Sequence, residues 1–160
     1  MNLFGLMETS GGAMQAERLR AEVVAANMAN AETTRTAAGG PYRRQEVVFA
    51  ANPGDANFLD SMNAASGNGS LSTATASSNS GVAPGVQIAA VVEDPSPPLK
   101  RYDPGHPDAG PDGYVSYPDI NPVTEMVDLM GATRAYGLNG SAVQAEKSMI
   151  SSALEIAKTS

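Results

Sequence analysis

The chain has 160 residues, a net charge of −7 and only 5% aromatic residues, and 16 glycines and 11 prolines dilute its apolar content. Much of that 42% apolar content is alanine, so the composition argues against a large packed core. The absence of cysteine excludes disulfides and thiolate-bound metals, while no basic stripe suits nucleic acid and no apolar run could cross a membrane.

The first predicted element is a helix over residues 4–31. Its apolar residues recur at seven-residue spacing, and Val24 lies three residues after one of them, at the second apolar position of the repeat. This pattern is typical of a helix that packs against another helix. Gly11 and Gly12 lower its helix propensity by about 2 kcal/mol relative to alanine, which predicts a loose beginning. The residues at this spacing are Met7, Met14, Ala21 and Met28.

Two asparagines, Asn27 and Asn30, interrupt the apolar stretch near the end of this helix. One interpretation is a frayed helix end whose free carbonyls are satisfied by Asn and Thr side chains. The alternative is a partly buried amide pair that fixes the register between helices, as a buried Asn does in coiled coils. The residues alone leave both interpretations open.

The middle of the chain is predicted to be a small β region with long loops. The first two strands are expected to pair across a long connection. Within that connection, residues 63–81 contain only Ala, Ser, Gly, Asn and Thr apart from Leu71, which predicts a flexible segment. Eight acids against two bases over residues 51–120 make this middle acidic, as solvated loops usually are. The stretches that favour strands are residues 42–50, 86–93 and 113–117.

A second long helix is predicted over residues 122–157. Asn121 is the expected N-cap, and Pro122 suits the first helical position. Apolar residues follow at spacings near three and four, which indicates a second helix with a packing seam. The larger side chains of that seam are Met126, Leu129, Met130, Tyr136, Val143, Ile150 and Leu154.

These elements predict a mainly α fold with a small β part. Residues 1–31 and 121–160 are expected to form one domain, in which the two terminal helices pair as an antiparallel coiled coil. Residues 32–120 form the β and loop region. A seam so rich in Met and Ala is weak by itself, so assembly with neighbouring chains is favoured.

Acidic and histidine side chains are concentrated in the segment 102–113. Because carboxylates and imidazoles ligate metals, a metal site is one interpretation. The chain holds a single histidine, however, and the intervening Pro and Gly residues favour an ordinary surface turn. No cofactor, metal site or enzymatic activity is therefore predicted. The residues concerned are Asp103, His106, Asp108 and Asp112.

Arg134 and Tyr136 lie among small residues of the last helix. In one interpretation, Tyr136 lies in the packing seam and Arg134 is exposed to solvent. In the other they form an interface pair, in which the Tyr136 ring is buried and the Arg134 guanidinium binds a neighbouring chain.

Three motifs resemble the bacterial flagellar axial proteins. They are "NMANAETT" after the first helix, "GGPYRRQEVVF" directly after it, and "NPVTEMVDLMGATRAY" at the other end. Their combination narrows the resemblance to the rod proteins of the basal body. The resemblance implies a structural subunit of the proximal rod that stacks helically across the periplasm and transmits torque. It also implies passage through the flagellar type III export apparatus without a cleaved signal, and contacts with other rod proteins and with copies of the chain.

The resemblance also implies an assembly interface on the terminal helices, with Asn27 and Asn30 in a packed inner layer. Other rod or hook axial proteins, a small metal-dependent enzyme and a soluble helical adaptor are the alternatives. The residues predicted at the interface are Met14, Val24, Asn27, Met28, Asn30, Met126, Met130, Arg134, Tyr136, Val143, Ile150 and Leu154.

Overall fold

The computed structural model describes residues 3–52 and 85–159, and the predicted flexible segment 63–81 lies outside these residues. Two long helices stand at the two ends of the described chain, with short strands between them. The order of elements is α1 Leu3–Ala29, β1 Gln45–Asn52, β2 Gly85–Glu93, β3 Leu99–Tyr102, β4 Tyr114–Tyr117 and α2 Pro122–Thr159. The predicted mainly α fold with a small β part is confirmed.

The predicted start of the second helix, α2, is confirmed by its cap. The side-chain Oδ1 of Asn121 accepts a hydrogen bond from the backbone N–H of Val123 at 3.0 Å, and its backbone carbonyl accepts one from Glu125 at 3.1 Å. Pro122, which has no N–H to satisfy, takes the first helical position. Asparagine is favoured here because its side chain satisfies an N–H that the helix itself leaves free.

The helices α1 and α2 pack against each other in antiparallel fashion. Asn27 near the end of α1 contacts Glu125 at the start of α2, while Met14 lies beside Gly140 near the middle of both helices. Many of the side chains between them are small or polar, and Ala132 is completely buried. Interhelical packing on alanine buries little apolar area, so the pair gains correspondingly little free energy from it.

The predicted seam of α2 is partly wrong. It included Met126, Met130 and Leu154, but each of these side chains is more than half exposed. In the first turns of α2, the places against α1 are occupied by polar side chains, since Glu125 binds Asn27 and Asp128 binds Arg20 at 3.3 Å. These polar contacts fix the rotation of α2 about its axis.

The strands form two separate antiparallel pairs. In the first pair, Gln45 lies opposite Glu93 and Asn52 opposite Gly85, and the ribbon lies against α1. In the second, β3 pairs with β4, and β3 is a strand that the sequence analysis missed within the proline-rich stretch. Gly113 directly precedes β4 and has a φ of 70°, which favours glycine. A Cβ at this position would lie 2.8 Å from the Tyr102 ring, so only glycine fits.

The apolar core of the described residues is small, as the composition predicted. Its buried apolar side chains are Ala16, Val23, Val24, Val115, Ile120 and Ala132. Neither described helix combines the length and apolar character that crossing a bilayer requires.

Candidate assembly site

A buried polar cluster joins α1, β1 and α2, and Asn27 lies at its centre with 1% of its surface exposed. The Nδ2 of Asn27 donates to the carbonyl of Gln45 at 2.8 Å and to Oε2 of Glu125 at 3.1 Å. Its Oδ1 accepts from the N–H of Gln45 at 2.9 Å and from the hydroxyl of Tyr42 at 3.2 Å. The amide thus pairs with the backbone of Gln45 as a neighbouring strand would, and all its hydrogen-bonding capacity is used.

Glu125 is the buried anion of this cluster, with 1% exposure, and Arg44 neutralises it. The Nε of Arg44 donates to Oε1 of Glu125 at 2.7 Å, and its Nη1 also contacts Glu46. Partial burial lowers the pKa of Arg44, but the hydrogen bond and charge of Glu125, with those of Glu46, outweigh it and raise that pKa above its ordinary value. The guanidinium therefore stays charged beside the buried carboxylate.

Tyr42 completes the cluster as a hydrogen-bond donor. Burial raises the pKa of its phenol above the ordinary value of 10.0, and the negative charges of Glu93 and Glu125 raise it further. The hydroxyl therefore keeps its proton, which Asn27 needs because the Oδ1 of an amide can only accept.

Asn30 directly follows the last residue of α1. Its Nδ2 donates to the carbonyl of Ala26 at 2.9 Å, which also accepts the backbone N–H of Asn30 at 3.1 Å, and its Oδ1 accepts from the hydroxyl of Thr33 at 3.2 Å. The carbonyl of Thr33 then accepts the N–H of Tyr42 at 3.0 Å. The two asparagines have different tasks: Asn30 caps the helix, and Asn27 ties it to the strand and to α2.

The exposed side of α2 carries large apolar side chains over its first five turns, with the exposed Arg134 among them. We call this the outward face. Since α-helices repeat every 3.6 residues, its members lie roughly half a turn from the buried Glu125 and Ala132. More than half of the surface of each of its large side chains is exposed. The outward face consists of Val123, Met126, Val127, Met130 and Leu138.

The residues predicted at an assembly interface fall into two groups. The helix pair or its borders contain the first group, buried or half-buried: Met14, Val24, Asn27, Met28, Asn30, Val143 and Ile150. The second group is exposed on α2: Met126, Met130, Arg134, Tyr136 and Leu154. Arg134 has no ion-pair partner within residues 3–52 and 85–159, and Tyr136 keeps 46% of its surface exposed. Whether these residues contact neighbouring chains stays a prediction.

The acidic loop has structural partners. Asp108 accepts a hydrogen bond from the hydroxyl of Thr34 at 2.8 Å and lies 3.6 Å from Nη1 of Arg35. The Nδ1 of His106 accepts the N–H of Asp108 at 3.1 Å. These contacts tie the loop between β3 and β4 to the segment after α1. The described residues contain no group of three or more His, Asp or Glu side chains that could hold a metal.

The sequence analysis missed Glu125 as a member of the site. It predicted a strand over residues 42–50, and Tyr42 and Arg44 from this stretch do contact Asn27 and Glu125 of the two helices. In the sequence, Glu125 is simply an acid in the first turn of α2. An acid at this position ordinarily lies at the surface and interacts with the helix dipole. Nothing local indicates that this one is buried.

Two family models match the chain at its two ends. The family described as "Flagella basal body rod protein" matches residues 7–35, and "Flagellar basal body rod FlgEFG protein C-terminal" matches residues 112–156. The first match contains both asparagines, and the second contains Glu125 and the outward face.

Curated relatives are similar to the chain over nearly its full length. The protein of Borreliella burgdorferi is 36% identical over 168 residues, covering 98% of each chain. That of Bacillus subtilis is 37% identical over 164 residues, covering 99% of this chain and all of the relative. That of Salmonella typhimurium is 33% identical and covers 94% of each chain. Each bears the name flagellar basal-body rod protein FlgC.

Proposed function

Since this chain belongs to the FlgC family of flagellar basal-body rod proteins, we propose that its terminal helices make the contacts by which it is built into the rod. The chain is a structural subunit of that rod, and its family assembles with other rod proteins in the basal body. The proposal names the surfaces that contact neighbouring subunits in the rod. They are the outward face of α2 and the helix pair to which it belongs.

The exposed outward face is the observation that carries this proposal. Val123, Met130 and Leu138 each expose more than half of their surface on one side of a long helix. Large apolar side chains exposed together on one helix face are typical of a protein–protein contact. Its burial against a neighbouring subunit would add the apolar area that the small core of the single chain lacks.

Torque transmission follows from a stiff connection between the helices and the ribbon. Asn27, Arg44 and Glu125 link α1, β1 and α2 through hydrogen bonds between 2.7 and 3.1 Å. A subunit whose elements are connected in this way can transmit a force from its helices to its strands. Contacts between unlike surfaces of successive subunits build a helical array, because such contacts do not close on themselves.

We also infer that the chain reaches the rod through the flagellar type III export apparatus and crosses the periplasm within the assembled rod. The lack of cysteine and the small interhelical seam support this route, since a chain with weak internal packing and no disulfides is easily unfolded for passage. An uncleaved N-terminus stays a prediction from the sequence.

An active site receives little support. The family is a structural one, and Asp108 and His106 of the loop between β3 and β4 make contacts within the chain. The metal-dependent enzyme remains the alternative from another class. Stoichiometric metal in the purified protein, measured by elemental analysis, would favour it.

The test is complementation of a flagellated strain that lacks its own FlgC protein. Met130→Asp introduces a charge on the outward face, whereas Leu99→Asp introduces one at a similarly exposed apolar side chain of β3. We expect Met130→Asp to abolish swimming and to leave basal bodies without the subunit, although the protein is still synthesised. Cells that carry Leu99→Asp should swim about as well as cells that carry the unaltered chain. Equal swimming by both variants would contradict the proposed contact surface.

A further inference from the structure

The ribbon of β1 and β2 has two long edges, and hydrogen bonds at one end of it show which residues of β1 face outward. The carbonyl of Arg44 accepts the N–H of Asp94 at 2.8 Å and is therefore directed toward the β2 side. The N–H and carbonyl of Gln45 bind the Asn27 side chain on the opposite side. Because successive residues of a strand alternate between its two sides, the odd-numbered residues of β1 direct their backbone groups away from β2. The register shift after Val48 adds its extra residue to β2 and leaves this alternation of β1 unchanged.

Each edge of the ribbon is occupied by α1 at one end. On β1 this is the Gln45 end, where the amide of Asn27 takes the place of a neighbouring strand. On β2 it is the other end, where the carbonyl of Val86 lies 3.5 Å from the position that a Cβ on Gly12 would take. The opposite end of each edge is exposed to solvent. These exposed ends consist of Phe49 and Ala51 on β1 and of Val91 and Glu93 on β2.

The backbone groups of these exposed ends have no partners. Val91 lies opposite Val47 and Glu93 opposite Gln45, so both residues of β2 also direct their N–H and carbonyl groups away from the other strand. Within residues 3–52 and 85–159, no hydrogen bond reaches the outward backbone groups at either exposed end. A row of unpaired N–H and carbonyl groups at a strand edge is a template for another extended strand.

The ribbon is also too small to be stable by itself, because two strands alone are marginal in water and a third strand adds the support that they lack. Large apolar side chains stay exposed on both strands, at 43% for Val48, Val91 and Val92 and at 37% for Phe49. An added strand would cover part of this surface and contribute cross-strand contacts. The chemistry that fits each exposed end is therefore that of an extended polypeptide strand.

We propose that residues 49–51 of β1 pair with residues 91–93 of β2 in a second copy of this chain. A second copy fits because one such contact satisfies both exposed ends, β1 of one subunit and β2 of the next. The two ends lie at opposite ends of the ribbon, so the contact is head-to-tail and repeats from copy to copy as a helical row. The proposal deepens the function proposed above and rests on it, and it adds a contact separate from the outward face of α2.

Cysteine cross-linking tests the contact directly, because the chain has no cysteine of its own. Two versions with distinguishable tags, one carrying Ala51→Cys and one Val91→Cys, are expressed together in cells lacking FlgC. Basal bodies are then isolated and treated with a short bismaleimide. In the matched control, Gln87→Cys replaces Val91→Cys, since Gln87 is also exposed on β2 but lies near the end that α1 occupies.

We expect a cross-linked pair carrying both tags from Ala51→Cys with Val91→Cys, and none from Ala51→Cys with Gln87→Cys. No mixed pair, although both versions are present in the basal bodies, would overturn the proposal and leave the rod function standing. Equal cross-linking in the control, or a link from position 51 to a different rod protein, would also overturn it. Absence of even the unaltered chain from basal bodies would instead refute the proposed function.

Proline substitution gives an independent answer if a cysteine variant fails to assemble. Ala51→Pro removes an N–H that points away from β2, so the pairing of β1 with β2 is kept while the proposed contact loses a donor. Lys100→Pro is the matched control: the N–H of Asp103 donates to the carbonyl of Gly113 on the β4 side, so that of Lys100, three residues earlier, points away from β4.

We expect Ala51→Pro to lower the amount of subunit in basal bodies about tenfold, and Lys100→Pro to leave it unchanged. Thermal unfolding of the purified variants shows whether each still folds. If Ala51→Pro unfolds at a lower temperature than the unaltered chain, Val91→Pro provides the same comparison from the other side of the contact. Incorporation of both ribbon variants at the level of Lys100→Pro would count against the proposal.

Discussion

The side-chain amide of Asn27 forms hydrogen bonds with both the first strand and the second helix. At the residue scale this explains why a polar side chain lies in an apolar stretch: its four hydrogen bonds replace those that water would make, and its partners come from β1, from the segment before β1 and from α2. A buried amide with so many partners specifies one arrangement, because any shift along the helix axis would leave several polar groups unsatisfied.

The first prediction concerns Asn27→Asp. The substitution keeps the shape but removes both N–H donors and places a carboxylate against Glu125, so we expect a loss of about 3 kcal/mol in the free energy of unfolding. Asn139→Asp is the matched control, since the Asn139 amide only donates to the carbonyl of Ala135 within α2. Urea denaturation followed by circular dichroism measures both. Equal, small losses would show that the cluster does not hold the elements together.

The second prediction concerns the phenol of Tyr42. Its pKa is raised in the folded chain, mainly by burial and then by Glu93 and Glu125, so folding favours the protonated form. The resulting stability is complete below the unfolded value of about 10 and is lost as the pH rises through the folded pKa. The advantage of the unaltered chain over Tyr42→Phe in unfolding free energy should therefore shrink as the pH rises above about 10. A difference that stays constant as the pH rises above that value would contradict this role.

The sequence predicted the role of Asn27 only in part. An amide that fixes register could be read from its position among apolar residues, but its strand partner could not. Gln45 is 18 residues away and is brought back by the turns after Asn30. Likewise, Glu125 looks like an ordinary first-turn acid until the fold places Arg44 beside it. Local patterns cannot report partners supplied by another element.

At the scale of elements, the strongest periodic signals gave the most accurate predictions. The helix predicted over 4–31 is observed as Leu3–Ala29, and the one over 122–157 as Pro122–Thr159. The strand Leu99–Tyr102 was missed because the prolines before it masked a four-residue stretch, which gains its place only by pairing with β4. The rotation of α2 was misjudged because hydrophobicity favoured Met126 and Met130, while polar contacts decide it.

The third prediction concerns the helix pair itself. Glu146 is buried, with 6% exposure, and its Oε2 has no hydrogen-bond partner within the described residues. A buried carboxylate without full compensation destabilises the fold. We expect Glu146→Gln to raise the free energy of unfolding by about 1–2 kcal/mol, because burying a neutral amide costs less than burying a charge.

Thermal unfolding of the purified chain measures this, with Glu22→Gln as the control. Glu22 is exposed and pairs with Arg18 on the same helix, so its replacement should change the free energy of unfolding by less than about 0.5 kcal/mol. A loss of stability in Glu146→Gln would show that the carboxylate has a partner that the folded chain depends on.

At the scale of the whole molecule, the chain combines a small core with an exposed apolar helix face. Its largest fully buried side chains include a glutamate and an asparagine, whereas methionines and leucines of α2 face outward. This distribution is unfavourable for an isolated globular protein, because apolar area left in water contributes nothing to stability. It suits a subunit that completes its packing only when neighbours cover the outward face.

The measurement that tests this account most directly is the accessibility of position 130 before and after assembly. A Met130→Cys chain has a single thiol, and so does a Leu99→Cys chain, which serves as the control. Labelling with a water-soluble maleimide is compared between the purified subunit and intact basal bodies. We predict that Cys at position 130 reacts in the free subunit and is protected in basal bodies, while Cys at position 99 reacts in both. Equal labelling of position 130 in the two states would show that the outward face of α2 stays open in the rod, and would contradict the account.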